Sequence, residues 1–328
     1  MKLSIFKYRS FLPVLFLFFI GSSQAEAIQL LSSESEIYQL ILTKTEAYYV
    51  AWSYTKDDKV YDQAGIYYSK DPDNVYWDPL PPLKGHRGWV EYQNVIDTVW
   101  KAHGLAAAGI LFAHDGSFQA WTYQDVIWTT SNCIVYVQTD TGQGATAPCR
   151  GTQIWIVEDR DWLLAHEHFS STSELAGKIF QGAGETDVRI KTNAEFLKIS
   201  EQLAAAWSAG PVETAGSRLR KFYAADQDVR LYMPWAPHDG FQTWGAFEQG
   251  LDEYIKLAAK KITLTQHGDL EATQHGDLAW STATVHFSIE QHDGTQVAAD
   301  GRQTLIWIRQ VHNWVVVHEH LSIPSGQQ

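Results

Sequence analysis

Two cysteines are all that a chain of 328 residues contains, basic residues are outnumbered 25 to 38 by acidic ones, and beyond the N-terminus no apolar run approaches the length of a membrane span. Each scarcity excludes something. A formal net charge of −13 opposes binding to nucleic acid or to an anionic membrane surface. The one long apolar run, "FLPVLFLFFI", follows Lys2, Lys7 and Arg9 and leads into the small residues of "GSSQAEA", with no cysteine after it to carry a lipid. It is too short for a comfortable span and has the layout of an export signal over residues 1–25. Its removal takes away three basic residues and moves the net charge to 22 − 38 = −16. The expectation is an exported protein, periplasmic or secreted, with no membrane association once the signal is gone.

In an oxidising compartment the pair Cys133 and Cys149 can form a disulfide. They flank a strand-like run and a Gly-rich turn, "IVYVQTDTGQGATAP". A hairpin turn centred on Thr141 sets the two cysteines opposite each other, where cross-strand Cβ atoms lie roughly 4.5–5.5 Å apart. A structural disulfide is therefore expected rather than a redox or metal pair. Aromatic residues, by contrast, are plentiful: 14 Trp, 15 Tyr and 14 Phe are enough to build cores and still line a cavity.

The sequence repeats itself. Shifted by 152 residues, "CRGTQIWIVEDRDWLLAHEHFS" (149–170) meets "GRQTLIWIRQVHNWVVVHEHLS" (301–322), with identity at 10 of 22 positions. "QDVIWTT" meets "GDLAWST" at the same offset. Earlier, with small gaps, "AYYVAWS" meets "QLAAAWS", "GIYYSKDPDNV" meets "RKFYAADQDV", and "RGWVEY" meets "WGAFEQ". Periodicity gives both copies one layout: a first helix (about 33–53 and 190–208), a shorter one, a short strand ("NVYW", "DVRLY"), a Pro-rich bend, a third helix (about 88–103 and 245–260), and four closing strands. The Ser-, Gly- and Ala-rich stretch between the copies reads as a linker. The expected division is a signal at 1–25, a first domain at 26–170, a linker at 171–188 and a second domain at 189–328. Each domain is α+β, with helices packed on one face of a curled antiparallel sheet.

The His-Glu-His strand ending in Ser, the "R-x-T-x-x-W" strand before it, the "D-hydrophobic-hydrophobic-W" strand and the element order together resemble the SnoaL-like branch of the nuclear transport factor 2-like superfamily. The resemblance covers nearly all of both copies. It implies two tandem cone-shaped domains, each a strongly bent sheet around a long helix with a pocket at its open end. The superfamily holds steroid isomerases, dehydratases, polyketide cyclases, the calcium/calmodulin-dependent kinase association domain and non-catalytic binders, so the fold leaves the chemistry open.

Within the duplicated segment, His166 and His168 share one face of a strand and Glu167 the other; His318, His320 and Glu319 repeat the pattern. The zinc-protease signature needs two histidines at i and i+4 on a helix, and this segment has neither. Two co-facing histidines supply only half of a metal site, and His86, His103 and His114 have no counterpart in the second copy to complete it, so neither a metal nor another cofactor is expected. The histidine pairs are either a strand signature hydrogen-bonded in the cavity wall or polar contacts to a ligand, expected on the inner face with Glu167 opposite. Arg150 and Arg302 lie on the neighbouring strand. In one register Arg150 faces Glu167 as an ion pair; in the register shifted by one it joins His168 in an anion-binding pocket.

Asp78, after "NVYW", is either a cap for the bend before Pro79 or, as the resemblance implies, a general base tuned by Tyr76, Trp77 and Trp89. The aligned position in the second copy is Tyr232 or Met233, and neither is a carboxylate. The leading expectation is thus a small-molecule binder for a partly apolar, optionally anionic ligand, with Trp89, Arg150, His166, His168, Arg302, His318 and His320 as contacts. One rival is a cofactor-free isomerase, dehydratase or hydrolase with Asp78 as base and His166 or His168 as acid. The other is an assembly module in which sheets pair, as an internal pseudo-dimer or a homo-oligomer.

Overall fold

In a computed structural model of the chain, the described residues are 28–55, 63–79, 83–96, 98, 109–138, 144–171, 193–225, 228–235, 237–311 and 313–323. The expected signal (1–25), most of the linker and the tip of the cysteine hairpin lie outside them. No described helix is long and apolar enough to cross a membrane.

The first half runs β1 (Gln29–Leu30), α1 (Glu36–Trp52), β2 (Tyr54–Thr55), β3 (Val75–Trp77), β4 (His86–Arg87), α2 (Gly88–Val95), β5 (Gly109–His114), β6 (Gln119–Tyr123), β7 (Val126–Gln138), β8 (Gly144–Glu158) and β9 (Asp161–Ser171). The second half runs α3 (Ala194–Ser208), α4 (Ala215–Leu219), β10 (Arg230–Tyr232), α5 (Trp244–Gly250), α6 (Lys256–Ala258), β11 (Ala259–Gln266), β12 (Glu271–His275), β13 (Leu278–Gln291), β14 (Gln296–Gln310) and β15 (Asn313–Ser322). Each half forms its own sheet, nine-stranded in the order β1-β6-β7-β8-β9-β3-β4 with β2 and β5 off that path, and six-stranded in the order β10-β15-β14-β13-β11 with β12 beside β13. Two tandem α+β domains result. Five strands follow the helices in each rather than four, because β5 and β6 both pair with β7, and β11 and β12 both with β13, as one strand interrupted by a turn.

Local sequence explains the helices. Ser35 caps α1 by accepting from the Tyr38 amide, and Ile41, Thr45, Tyr48, Tyr49 and Trp52 bury one stripe of it at helical spacing. Asn193 caps α3 in the same way, over a buried stripe of Phe196, Ser200, Leu203, Ala204 and Trp207. The sheets bend at matching irregularities, where the pairing with β8 skips Ala165 of β9 and the pairing with β14 skips Val317 of β15; such an extra residue increases twist and curls the sheet over its helix.

Cys133 and Cys149 stand directly opposite across the β7–β8 ladder and form the expected disulfide, with Cα atoms 4.8 Å apart. The second domain has Val285 and Gly301 in that place.

The two domains pack through the outer faces of their sheets. Trp121, Trp128, Ile154 and Ala165 of the first domain join one apolar cluster with Trp280, Ile306 and Val317 of the second. The architecture is an internal pseudo-dimer, and the duplicated segments lie at its centre.

Candidate functional site

Register decides which residues face where. In β9, His166, His168 and Ser170 point outward to the other domain, and Glu167 points into the cone, which reverses the expected facing of this segment. The physical reason is the sheet-on-sheet contact, a second buried surface that alternation within one strand cannot distinguish from a pocket.

Across the contact, His166 Nδ1 lies 2.7 Å from the Val75 carbonyl and Nε2 lies 2.9 Å from Thr304 Oγ1. A carbonyl only accepts, so Nδ1 carries the proton and Nε2 accepts from the threonine hydroxyl. Thr304 Oγ1 then accepts from His168 Nδ1 at 3.0 Å, and Ser322 Oγ donates to His168 Nε2 at 2.7 Å. The pseudo-two-fold mate repeats these contacts: Thr152 Oγ1 bonds to His318 Nε2 at 2.8 Å and to His320 Nδ1 at 3.0 Å, and Ser170 Oγ to His320 Nε2 at 2.8 Å. His168 and His320 stack on the axis with centroids 3.7 Å apart. Burial lowers all four histidines, His166 to about 4 and His318 to about 3, so they are neutral at pH 7.

Arg150 lies opposite Ser170 and so shares the His168 face, the second of the two expected arrangements. That face is the domain contact. Arg150 Nη1 donates to the Met233 carbonyl at 2.9 Å, and its guanidinium sits over the Tyr232 ring. Arg302 mirrors it, with Nε donating to the Leu83 carbonyl at 3.0 Å, Nη1 to the Asp78 carbonyl, and the guanidinium over Trp77. Arg150, His166, His168, Arg302, His318 and His320 are therefore gathered at the seam between domains, and neither His166 nor His168 faces the cone with Asp78. No group of three or more metal-ligating side chains occurs among the described residues.

Inside the first cone lies a different cluster, which sequence reasoning caught only at Asp78 and Trp89. The Glu167 carboxyl is wholly buried and accepts from Tyr48 Oη at Oε2 and from Tyr68 Oη at Oε1, the latter at 2.8 Å; Trp52 Nε1 supports Tyr68 at 3.1 Å. Tyr92 lies beside both carboxyls, close enough for each to raise its pKa further above the level set by burial. Burial, more than any neighbour, raises Glu167 to about 8, so the acid is mainly protonated at neutral pH. His86 stacks on Tyr92 at 4.6 Å and places Nε2 3.4 Å from Asp78 Oδ2. Trp89 stacks on Tyr68 at 4.5 Å. Gln153 lies opposite Glu167, is 1% exposed, and among the described residues has no hydrogen-bond partner for either side-chain polar atom.

The second cone holds far less polar chemistry. Tyr76 pairs with Glu167 as Leu231 does with Glu319, so Asp78 corresponds to Met233. Gly85 and Gly240, both at positive φ where a Cβ would overlap Trp77 or Tyr232, fix the same offset of 155 after the bend. That register sets Trp89 on Trp244 and Tyr92 on Phe247, two residues from the alignment that matched "RGWVEY" to "WGAFEQ". Trp52, Tyr68, Trp89 and Glu167 recur as Trp207, Tyr223, Trp244 and Glu319, and Glu319 keeps Tyr223 and Gln303 as partners. Tyr48, Asp78, His86, Tyr92 and Gln153 become Leu203, Met233, Phe241, Phe247 and Leu305. A position-by-position comparison of the copies at the correct offset is the signal that would have found the cluster.

Helices on a curled sheet, with the long strands wrapped around a polar-cored cone, define the nuclear transport factor 2-like class. Residues 213–326 match the SnoaL-like domain, and the first half of the chain repeats the architecture of that half. No curated protein matches the sequence. Similar solved structures include a nuclear transport factor 2-like superfamily protein from Salmonella enterica serovar Typhimurium, 19% identical over 40% of this chain and 89% of that one with a TM-score of 0.33. Others are the CaMKII hub of S. rosetta, at 20% identity, 42% and 99% coverage and a TM-score of 0.32, and the CaMKII association domain of C. elegans, at 14%, 39% and 92% and 0.31.

Proposed function

We propose that the protein is an exported small-molecule binder whose ligand site is the cone of the first domain, with the second domain as its fixed structural partner. The observation that carries this reading is the asymmetry between the cones: five polar side chains gathered around a shared Glu/Tyr/Trp framework in one are apolar in the other. Buried polar groups are costly unless hydrogen-bonded, and among the described residues Gln153 and the His86 ring nitrogens have no hydrogen bond. A ligand with a polar head and an apolar body, packed by Trp52 and Trp89, would satisfy them.

The carboxyl pair favours a second reading, cofactor-free proton transfer. Glu167, held neutral, is a donor; Asp78, beside His86, is an acceptor; Tyr92 lies beside both. One experiment addresses both. Small molecules co-purifying with the native protein are compared by mass spectrometry with those from the variant Asp78→Met/His86→Phe/Tyr92→Phe, which gives the first cone the side chains of the second. The expected outcome is a bound species in the native protein and none in a folded variant; retention by the variant refutes the site. Incubating the species with native protein in D2O separates the readings, because deuterium uptake at carbon, lost in Asp78→Asn, is expected only of an enzyme.

A further inference from the structure

Where the sheets meet, the pseudo-two-fold generates two related clefts beside the histidine seam. One, whose lining includes Val75, Trp77, Lys84, Arg87, Asp269, Glu271 and Thr284, is narrow, with a volume of about 10 Å³. The Arg87–Glu271 ion pair fills it. In the other, six corresponding positions are different: Arg230 replaces Val75, Gln119 replaces Glu271, Gln242 replaces Arg87, Ser117 replaces Asp269, Asn132 replaces Thr284 and Asp239 replaces Lys84. This cleft is open, with a volume of about 330 Å³.

Arg230 belongs to its wall and is 3% exposed. Among the described residues neither its Nε nor its Nη1 has a hydrogen-bond partner, and no carboxylate lies at ion-pair distance from it. Its guanidinium rests against the Tyr232 ring. Asn132 Oδ1 and Gln119 Oε1, on the same lining, also have no partner. A buried cation without an anion is strongly unfavourable, whereas surface ion pairs are worth little. The two acidic side chains of the lining, Asp115 and Asp239, are exposed and held at Oδ1 by the Ser117 amide and by Asn132 Nδ2, at 2.9 and 2.7 Å. The cleft thus has a positive buried wall and two negative groups in solvent, an arrangement that repels a simple anion at its entrance and suits a molecule carrying both charges.

We propose that this cleft binds a small zwitterion of amino-acid size, with its carboxylate on the Arg230 guanidinium, its ammonium between Asp115 and Asp239, and its backbone-sized body against Asn132 and Gln119. A guanidinium and a carboxylate make charge-assisted hydrogen bonds, and occupancy supplies the counter-charge that Arg230 lacks. The site is separate from the first cone and does not depend on a ligand being bound there.

The test is thermal unfolding of the full chain with each of the twenty free L-amino acids at millimolar concentration, and with acetate and sulfate as simple anions. One or more amino acids should raise Tm, whereas acetate and sulfate should not. The rise should vanish in Arg230→Met and fall at least several-fold in Asp115→Asn/Asp239→Asn. Because Arg230→Met also removes an unpaired buried charge, its ligand-free Tm should equal or exceed that of the native protein. No shift with any amino acid, a shift that survives Arg230→Met, or a ligand-free Tm that collapses in Arg230→Met while the native protein binds nothing would each overturn the proposal. Equal shifts with acetate, unaffected by the Asp variants, would overturn its zwitterionic character.

Discussion

Glu167 shows how one residue can carry opposite expectations before and after its facing is known. Periodicity set it apart from the histidines, and the natural partner on the next strand was Arg150; the fold gives it the hydroxyls of Tyr48 and Tyr68 and, among the described residues, no cation. Its pKa in the folded state is raised to about 8 from an ordinary value near 4.5. The stability it contributes is therefore present in full below pH 4.5 and is lost as pH rises through 8. Glu167→Gln keeps a hydrogen-bonding side chain of the same shape and removes the titration. Against the native protein, the variant should be of similar stability near pH 5 and more stable above pH 8 by about 3–5 kcal/mol, read from denaturant unfolding at both pH values. The reverse order would mean that Glu167 is ionised in the fold.

At the scale of elements, β8, β9, β14 and β15 form a seam in which every buried histidine nitrogen that bonds across the domains has a hydroxyl partner. Thr304→Val preserves shape but leaves His166 Nε2 without a donor and His168 Nδ1 without an acceptor. Each stranded group costs about 1–3 kcal/mol, so the variant should lose about 2–4 kcal/mol in denaturant unfolding, and Thr152→Val a similar amount through His318 and His320. An undiminished stability would show that water replaces the hydroxyl. The repeat, the α+β layout and the disulfide were legible because they rest on local spacing: identical words at a fixed offset, helical stripes, cysteines equidistant from a turn. Which face of "HEH" looks into the cone was not legible, since a face buried by a second sheet and a face lining a pocket share the same alternation. The cluster at Tyr48, His86 and Tyr92 escaped for another reason. It assembles from segments tens of residues apart, and gaps around the Pro-rich bend displaced the alignment that would have exposed it.

For the whole molecule, the seam and the cones respond to pH in opposite directions. The histidines are lowered in the folded state, His166 to about 4 and His318 to about 3, so their contribution is complete above pH 6.5 and is withdrawn as pH falls through the folded values. Each shift corresponds to about 3 kcal/mol or more. Acidification from pH 7 to pH 4 should separate the domains before it unfolds them, because protonation strikes the contact, and small-angle scattering should record an increase in radius of gyration with secondary structure retained. A fold that opens only together with loss of circular dichroism would show that neither domain stands without the other. The matched pairs across the axis, Thr152 with Thr304 and His168 with His320, have a further consequence. Two identical chains joined by such a contact must accept every substitution twice, once in each subunit, so a charge placed in one cleft also appears in its twin. Joining both copies in a single polypeptide lifts that constraint: Arg230 can face Val75 across the axis, and Asp78 can face Met233, each half keeping the handshake while specialising alone.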